Sequence, residues 1–368
     1  MEAVHKRVAG INVHRMKHVV TILIEQDGAV SSQTREFGGF KRDMRALVGW
    51  LQEHRIQQVV MESTGVYWKS VFSHLEAAGI AALVVNAYHV KNVPGRKTDV
   101  SDSEWLAQLA RFGLLRGSFI PPKDLRELRI VSRYRRKLSA VAAGEKNRLH
   151  KLLGRGRLKS GREVLQAAMD GDLSARHRLV LTMVLNHLRY LEQQLDELDR
   201  TLVAAMKPYA GAWRLLQTIP GIDQISAAMI VIEIGDDLRR FGSASRLASW
   251  AALCPGNNES AGKRKTGRIR HGNPIVRYLL CEAANAARRT KTVFRAKYES
   301  LVIRRGYKKT IIALAHKLIR TIYVILERRK PYRDSTFDYE AASVAKNAPR
   351  WIRALKKYGY WPQPAPAT

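Results

Sequence analysis

Acidic residues are scarce in this chain, and cysteine is almost missing. Against 64 lysines and arginines stand 32 aspartates and glutamates, for a formal net charge of +32. A chain so short of negative charge attracts polyanions by neutralising phosphates and releasing their counterions, so nucleic acid is the first partner to expect. The two cysteines, Cys254 and Cys281, have no metal-ligand spacing and build no disulfide framework. Long apolar runs are lacking too. None approaches the roughly 20 residues of a spanning helix, and the most apolar late stretch, Ile311 to Leu326, is broken by His316, Lys317 and Arg320. No membrane partner is therefore expected. Met1 to Arg7 lacks the apolar core of a secretory leader, which points to the cytoplasm. What is present, 46% hydrophobic residues over 368 positions, suffices for two or three globular units.

The first third alternates strand and helix patterns. Arg7 to His14 and Val19 to Gln26 are rich in Val and Ile about a short polar turn, which predicts an antiparallel hairpin. Helices are predicted over Lys41 to His54, Val66 to Ala78 and Val100 to Phe112, with strands at Gln57 to Met61 and Ile80 to Val85. A hairpin followed by alternating helix and strand is the order of a ribonuclease-H-like mixed sheet. The expected organisation is an α/β domain over 1–122, a basic helical and coiled-coil region over 123–208, a mainly α domain over 209–330 and an extension over 331–368.

Basic residues crowd the helical pattern after Lys123: Arg126, Arg129, Arg133, Arg135, Arg136 and Lys137. The excess of one sign favours a nucleic-acid surface, although a solvated helix face explains the run equally well. Leu181, Val184, Leu188, Leu191, Leu195, Leu198 and Leu202 recur near heptad spacing, as in a helical hairpin or an arm joining protomers, or in a helix packed within its own domain. Ile219-Pro220-Gly221-Ile222 reads as a helix-hairpin-helix-like turn able to present backbone amides to phosphates. A loop over 256–273 carries Ser260, Lys263, Arg264, Lys265, Arg268, Arg270 and His271, and Arg277 follows in the next helix. The tail offers Arg350, Trp351, Arg353, Lys356 and Lys357 as an aromatic and basic surface.

Glu62 closes an apolar strand, where a loop exposes it, and a ribonuclease-H-like sheet places it beside the first strand's Ala9-Gly10-Ile11-Asn12. Asp99 and Asp102 belong to a third segment. Four such positions from three segments suit one or two divalent cations, Mg²⁺ or Mn²⁺, which prefer oxygen ligands and serve phosphoryl transfer. Taken alone, Asp99 and Asp102 read first as a helix N-cap and its capping-box partner, a role compatible with metal binding.

Met61-Glu62-Ser63-Thr64-Gly65-Val66-Tyr67-Trp68 and Gly95-Arg96-Lys97-Thr98-Asp99-Val100-Ser101-Asp102 resemble the two N-terminal signatures of the DEDD transposases of the insertion-sequence one-ten family, also called bridge-RNA-guided recombinases. Farther on, Ile219-Pro220-Gly221-Ile222, Arg240-Phe241, Leu247-Ala248-Ser249-Trp250, Leu253-Cys254-Pro255, Glu259-Ser260-Ala261-Gly262 and His271-Gly272-Asn273 follow in the family's order. The resemblance spans about residues 7 to 325. It implies a RuvC-like N-terminal domain whose acids bind Mg²⁺ or Mn²⁺, with Glu62, Asp99 and Asp102 on three of the four acid positions. It implies a C-terminal transposase domain with Ser260 as nucleophile, and a covalent 5′-phosphoserine intermediate. The implied partners are donor and target DNA, a non-coding bridge RNA that pairs with both, and further copies of the chain in a tetramer with composite sites, all beside the nucleoid of a bacterium or archaeon. Arg96, Lys97, Lys263, Arg264, Lys265, Arg268, Arg270 and Arg277 join the helical arginines as candidate nucleic-acid contacts.

One position departs from the family pattern. Asn12 stands where the family has the first-strand aspartate; it offers one carbonyl oxygen and no charge. Weaker Mg²⁺ binding and slow or absent cleavage are expected. Two other functions stay open at this point: a metal-dependent nuclease or junction resolvase that uses water and leaves Ser260 idle, and a nucleic-acid-binding relative without chemistry.

Overall fold

The computed structural model describes residues 3–63, 65–86, 99–152, 174–254, 258–260, 263–266, 272–335 and 337–360. The chain divides into two compact units, Met1–Ile120 and Pro121–Thr368.

The first unit is built on a five-stranded mixed sheet. Strands β1 (Arg7–Val13), β2 (Lys17–Gln26), β3 (Ala29–Gly38), β4 (Gln58–Glu62) and β5 (Ala82–Val85) lie in the order β3-β2-β1-β4-β5. β1 runs antiparallel to β2 and parallel to β4, and β4 runs parallel to β5. This is the ribonuclease-H-like arrangement, with β1 in the centre and nearly every β1 residue buried, as a strand covered on both faces requires. One edge strand was not expected. β3 is almost wholly exposed and has little apolar character, so no strand is predicted there. Asp27-Gly28 turns β2 into it with positive φ at both residues (50° and 80°), the Asp-Gly signal of a two-residue hairpin.

Alternation along the strands gives each face its own helices. Ala9, Ile11 and Val13 pack with Met44, Leu47 and Leu51 of α1 (Lys41–Glu53) and with Val71 and Leu75 of α2 (Trp68–Ala77). Val8, Leu23 and Val60 turn to the opposite face and meet Leu106, Ala107 and Ala110 of α3 (Asp99–Arg111).

The second unit is mainly helical. α4 (Lys123–Leu152) and α5 (Ala175–Ala204) pack through Ala142 and Leu149 against Leu181, Val184, Leu188 and Leu191. These heptad-like leucines and valine therefore face α4 of the same unit. Short α6 (Ala210–Gln217) leads through Pro220-Gly221 into α7 (Gln224–Ile234), which is buried from Ala227 to Ile234. Gly221 has φ 88°, and a Cβ there would lie 2.4 Å from the Ala283 carbonyl oxygen, so this turn is pressed against a later helix. After α8 (Ala244–Trp250), the expected loop around Ser260 contains a two-stranded antiparallel hairpin, β6 (Asn258–Ser260) and β7 (Lys263–Thr266). Helices α9 (Pro274–Ala287), α10 (Val293–Arg328, broken at Gly306) and α11 (Tyr339–Lys357) complete the unit. No described helix is long and apolar enough to cross a membrane.

Candidate active site

The register of the central strands brings two site positions side by side. Ile11 of β1 pairs with Met61 of β4 in parallel, so the next residues, Asn12 and Glu62, are neighbours at the C-terminal ends of their strands. Both have the parity of Val8 and Val60 and so belong to the face that α3 covers. Both are half-buried.

α3 reaches this edge because Gly10 lets it come close. A Cβ at Gly10 would lie 2.0 Å from the Ser103 carbonyl oxygen and 2.6 Å from the Ala107 nitrogen, so no side chain fits between strand and helix. Thr21, the cross-strand partner of Gly10, shares a buried 2.7 Å hydrogen bond with the Ser103 hydroxyl and a second, 2.9 Å, with Thr34. At the other end of α3, Arg111 is paired with Glu25 at 2.6 Å, and the Arg111 carbonyl accepts from the Val4 amide. Because Ser103 lies over Gly10 while Leu106, Ala107 and Ala110 pack beside Val8, the first turn of α3 is directed toward Asn12. That turn carries Asp99 and the half-buried Asp102. For Asp99 only the backbone is described. Arg96 and Lys97 lie outside the described residues.

His14 and His18 flank the β1–β2 turn at the same end of the sheet. His14 Nε2 and His18 Nδ1 are buried with no hydrogen-bond partner among the described residues. Burial, reinforced by His14, holds the His18 imidazole below its ordinary pKa and therefore neutral. Neither histidine was singled out from sequence.

The donors at this edge suit a hard divalent cation in kind, since Asn12, Glu62 and Asp102 all present oxygen. With Asp99 counted from the sequence, the four positions carry three carboxylates, one short of four acids. Among the described residues no three His, Cys, Asp or Glu side chains gather as a metal-holding group.

In the second unit the base of the β6–β7 segment is tied down. The Asn273 amide donates to the Trp250 carbonyl at 3.1 Å, and Gly272 lies so near that a Cβ would meet the same carbonyl at 2.5 Å. The chain that leaves after α8 thus returns to its point of departure. Asn273 then caps α9 by accepting from the Ile275 and Val276 amides, with Pro274 at the first helical position. Its side-chain amide donates to Glu233 at 2.8 Å. Glu233 is fully buried in α7 and also accepts from Arg133 at 3.0 and 3.2 Å, while Arg129 lies 3.2 Å from the same carboxylate. Arg129 donates to the Glu233 backbone carbonyl as well; its burial outweighs the carboxylate and lowers its pKa to about 10. The carboxylate thereby links α4, α7 and the base of the serine-bearing segment.

Several arginines chosen from sequence as nucleic-acid contacts thus have partners inside the protein. Arg129 and Arg133 hold Glu233, Arg135 pairs with Asp199 through two hydrogen bonds, and Arg136 lies 4.6 Å over the Tyr278 ring. Lys137 is exposed, and Arg277 on α9 is half-buried. Ser260 stands on β6 opposite Lys263 of β7, and Glu259 opposite Arg264. The side chains of Ser260, Lys263, Arg264 and Lys265 are outside the description, as are Arg268 and Arg270 entirely.

Comparison with known proteins finds two family matches along the chain. A DEDD-type IS110 transposase family matches residues 9–156, and a second family, described as "Transposase IS116/IS110/IS902 family", matches residues 213–299. A "Probable family 20 transposase" of Pseudomonas aeruginosa is 28% identical over 295 residues, covering 75% of this chain and 85% of that protein. The "Transposase for insertion sequence element IS1111A" of Coxiella burnetii is 26% identical over 292 residues, 75% of this chain and 79% of the other. The solved structure of Thermus thermophilus RuvC aligns at 14% identity and a TM-score of 0.25, covering 30% of this chain and 99% of that one. The chain belongs to the IS110 family of transposases, with the DEDD domain in its N-terminal part and the second transposase domain in its C-terminal part.

Proposed function

We propose that this transposase, a DNA phosphoryl-transfer enzyme, cuts and rejoins DNA through a covalent protein–DNA intermediate, with Ser260 as nucleophile and Asn12, Glu62, Asp99 and Asp102 as the cation-binding part of the site. The observation that supports it is the register that sets Asn12 beside Glu62, with α3 pressed onto the same sheet face at Gly10 a few residues past the turn that carries Asp99 and Asp102. In this reading Ser260 Oγ attacks the phosphorus of a DNA phosphodiester. The Oγ–P bond forms and the P–O3′ bond breaks; the hydroxyl proton passes to a base and the departing 3′ oxygen takes one up. The products are a 5′-phosphoserine and a free 3′-hydroxyl, and attack by a 3′-hydroxyl of another strand releases the serine and completes the exchange.

A serine hydroxyl is a weak nucleophile and needs activation. Lys263, Arg264, Lys265, Arg268 and Arg270 surround it in sequence and supply positive charge for the pentavalent phosphate. Mg²⁺ or Mn²⁺ bound at the four N-terminal positions supplies further charge stabilisation at the scissile phosphate. Asn12 contributes one neutral oxygen, so cation binding is weaker and cleavage slower than with aspartate. The sequence address is carried by a bridge RNA paired to donor and target DNA, leaving the protein to recognise backbone and shape. The working assembly is a tetramer in which the acidic domain of one protomer faces the serine domain of another.

The test is denaturing electrophoresis of end-labelled DNA after reaction with the full chain, bridge RNA and Mg²⁺. A protein–DNA adduct that Ser260→Ala abolishes and Asn12→Asp increases is the expected result. Free 5′-phosphate ends with no adduct mean a water-using nuclease or junction resolvase. Binding without chemistry, even in Asn12→Asp, means a nucleic-acid-binding relative.

A further inference from the structure

A different part of the second unit holds a strongly basic cleft. α10 and the segment leading into α11 enclose about 920 Å³, and the walls include Lys297, His316, Lys317, Arg320, Arg333 and Tyr339. The non-helical backbone of Gly306 (φ 71°, ψ 165°) lets Lys297, before it, and Lys317, after it, reach the same ring. Lys297 Nζ lies 5.8 Å and Lys317 Nζ 4.8 Å from the Tyr339 ring centre, and Lys317 also donates to the Tyr339 hydroxyl at 2.7 Å.

These cations oppose one another. Burial first, then Lys317 and Arg320, hold the Lys297 ammonium below its ordinary pKa. Burial first, then Arg320 and Lys297, do the same to His316. Among the described residues no carboxylate makes an ion pair with Lys297, His316, Lys317, Arg320 or Arg333. Asp334, beside Arg333 in sequence, gives its oxygens to the Val293 and Ser335 amides and the Tyr332 hydroxyl. Like charges crowded and partly desolvated without a counter-charge cost free energy that an entering anion offsets.

We propose that this cleft is a phosphodiester-binding site that grips the backbone of a nucleic-acid strand. Lysine and arginine donors suit phosphate oxygens. Tyr332, stacked on Phe294, and Tyr339 stand in the same wall, and the Tyr339 ring holds the two lysines in place. The volume lies at the upper end of the ~300–1,000 Å³ range of ligand pockets, room for more than a single phosphate ion. The proposal stands whether or not Ser260 is the nucleophile, and the site lies on elements other than the serine hairpin.

Fluorescence anisotropy with a labelled single-stranded DNA and an RNA of the same sequence, over a series of salt concentrations, tests it on the full chain. The Lys317→Gln, Arg320→Gln double variant is expected to bind about tenfold or more weakly, with a salt slope reduced by about 1 to 2. Lys317→Arg should keep most of the affinity. Removing charges that repel one another should leave the melting temperature of the double variant equal or higher, which a merely structural role would not do. A loss seen with both strands places the shared backbone in the cleft; a loss with only DNA or only RNA assigns that strand. Unchanged affinity and slope for both strands overturns the proposal, as does a loss matched by a lower melting temperature that Lys317→Arg does not repair.

Discussion

Two glutamates, one in each unit, sit near the end of an apolar element in different surroundings. Glu62 closes β4 half-buried, on an edge shared with Asn12 and the turn that bears Asp99 and Asp102. Glu233 nears the end of α7 and is fully buried, with Arg129, Arg133 and Asn273 converging on it. What differs is the company. Cationic donors filling a carboxylate's lone pairs make Glu233 a fixed joint, whereas in the function proposed above the acids grouped with Glu62 supply negative potential for a cation.

The comparison can be broken most directly at the buried joint. Glu233→Ala leaves two guanidinium groups without their carboxylate, and a loss of about 3–5 kcal/mol is expected in urea unfolding. Glu62→Gln should change stability by less than about 1 kcal/mol while abolishing the DNA adduct; equal destabilisation by the two substitutions would erase the distinction. Gly10→Ala comes next. Its Cβ would overlap backbone of α3, so a loss of about 1–3 kcal/mol is expected, together with a fall in adduct formation beyond what the unfolded fraction explains. Asn12→Asp sharpens the comparison from the other side: single-turnover cleavage at limiting Mg²⁺ should rise by at least about tenfold, or ~1.4 kcal/mol of barrier. The smallest effect belongs to a largely exposed carboxylate beside cations. Arg239, chiefly by its side-chain hydrogen bond, lowers Asp237 from 3.8 to about 2. That contribution is present above the ordinary value and lost as pH falls through about 2, and Asp237→Asn should cost no more than about 0.5 kcal/mol at neutral pH.

Much of the first unit was legible because its signals are local. The Val- and Ile-rich runs of β1, β2 and β4 announce buried strands, and their order announces the sheet. β3 escaped because an exposed edge strand needs no apolar face, yet Asp27-Gly28 was in plain sequence to mark it. The acids of the proposed site were read as residue types at strand and helix ends. That Gly10 positions them was not, because a close helix–strand approach is a tertiary fact that a lone glycine does not declare. The arginines after Lys123 misled in part, since charge composition cannot tell a solvated face from one turned toward Glu233 or Asp199. A signal did exist: a single glutamate inside the apolar run of α7 must have a partner if it is buried. The cleft around Tyr339 was invisible, because the Gly306 break and the distant helix α11 create it together.

The tie between Trp250 and Asn273 has a consequence in polymer terms. The excursion that carries Ser260 begins and ends at one fixed point, so the entropy of closing it depends on its contour only logarithmically, about 0.6 kcal/mol for each doubling in length. Residues can be added or removed between Leu253 and Gly272 with little effect on the helices beneath. The reach of Ser260 can therefore be altered in this fold almost independently of its stability.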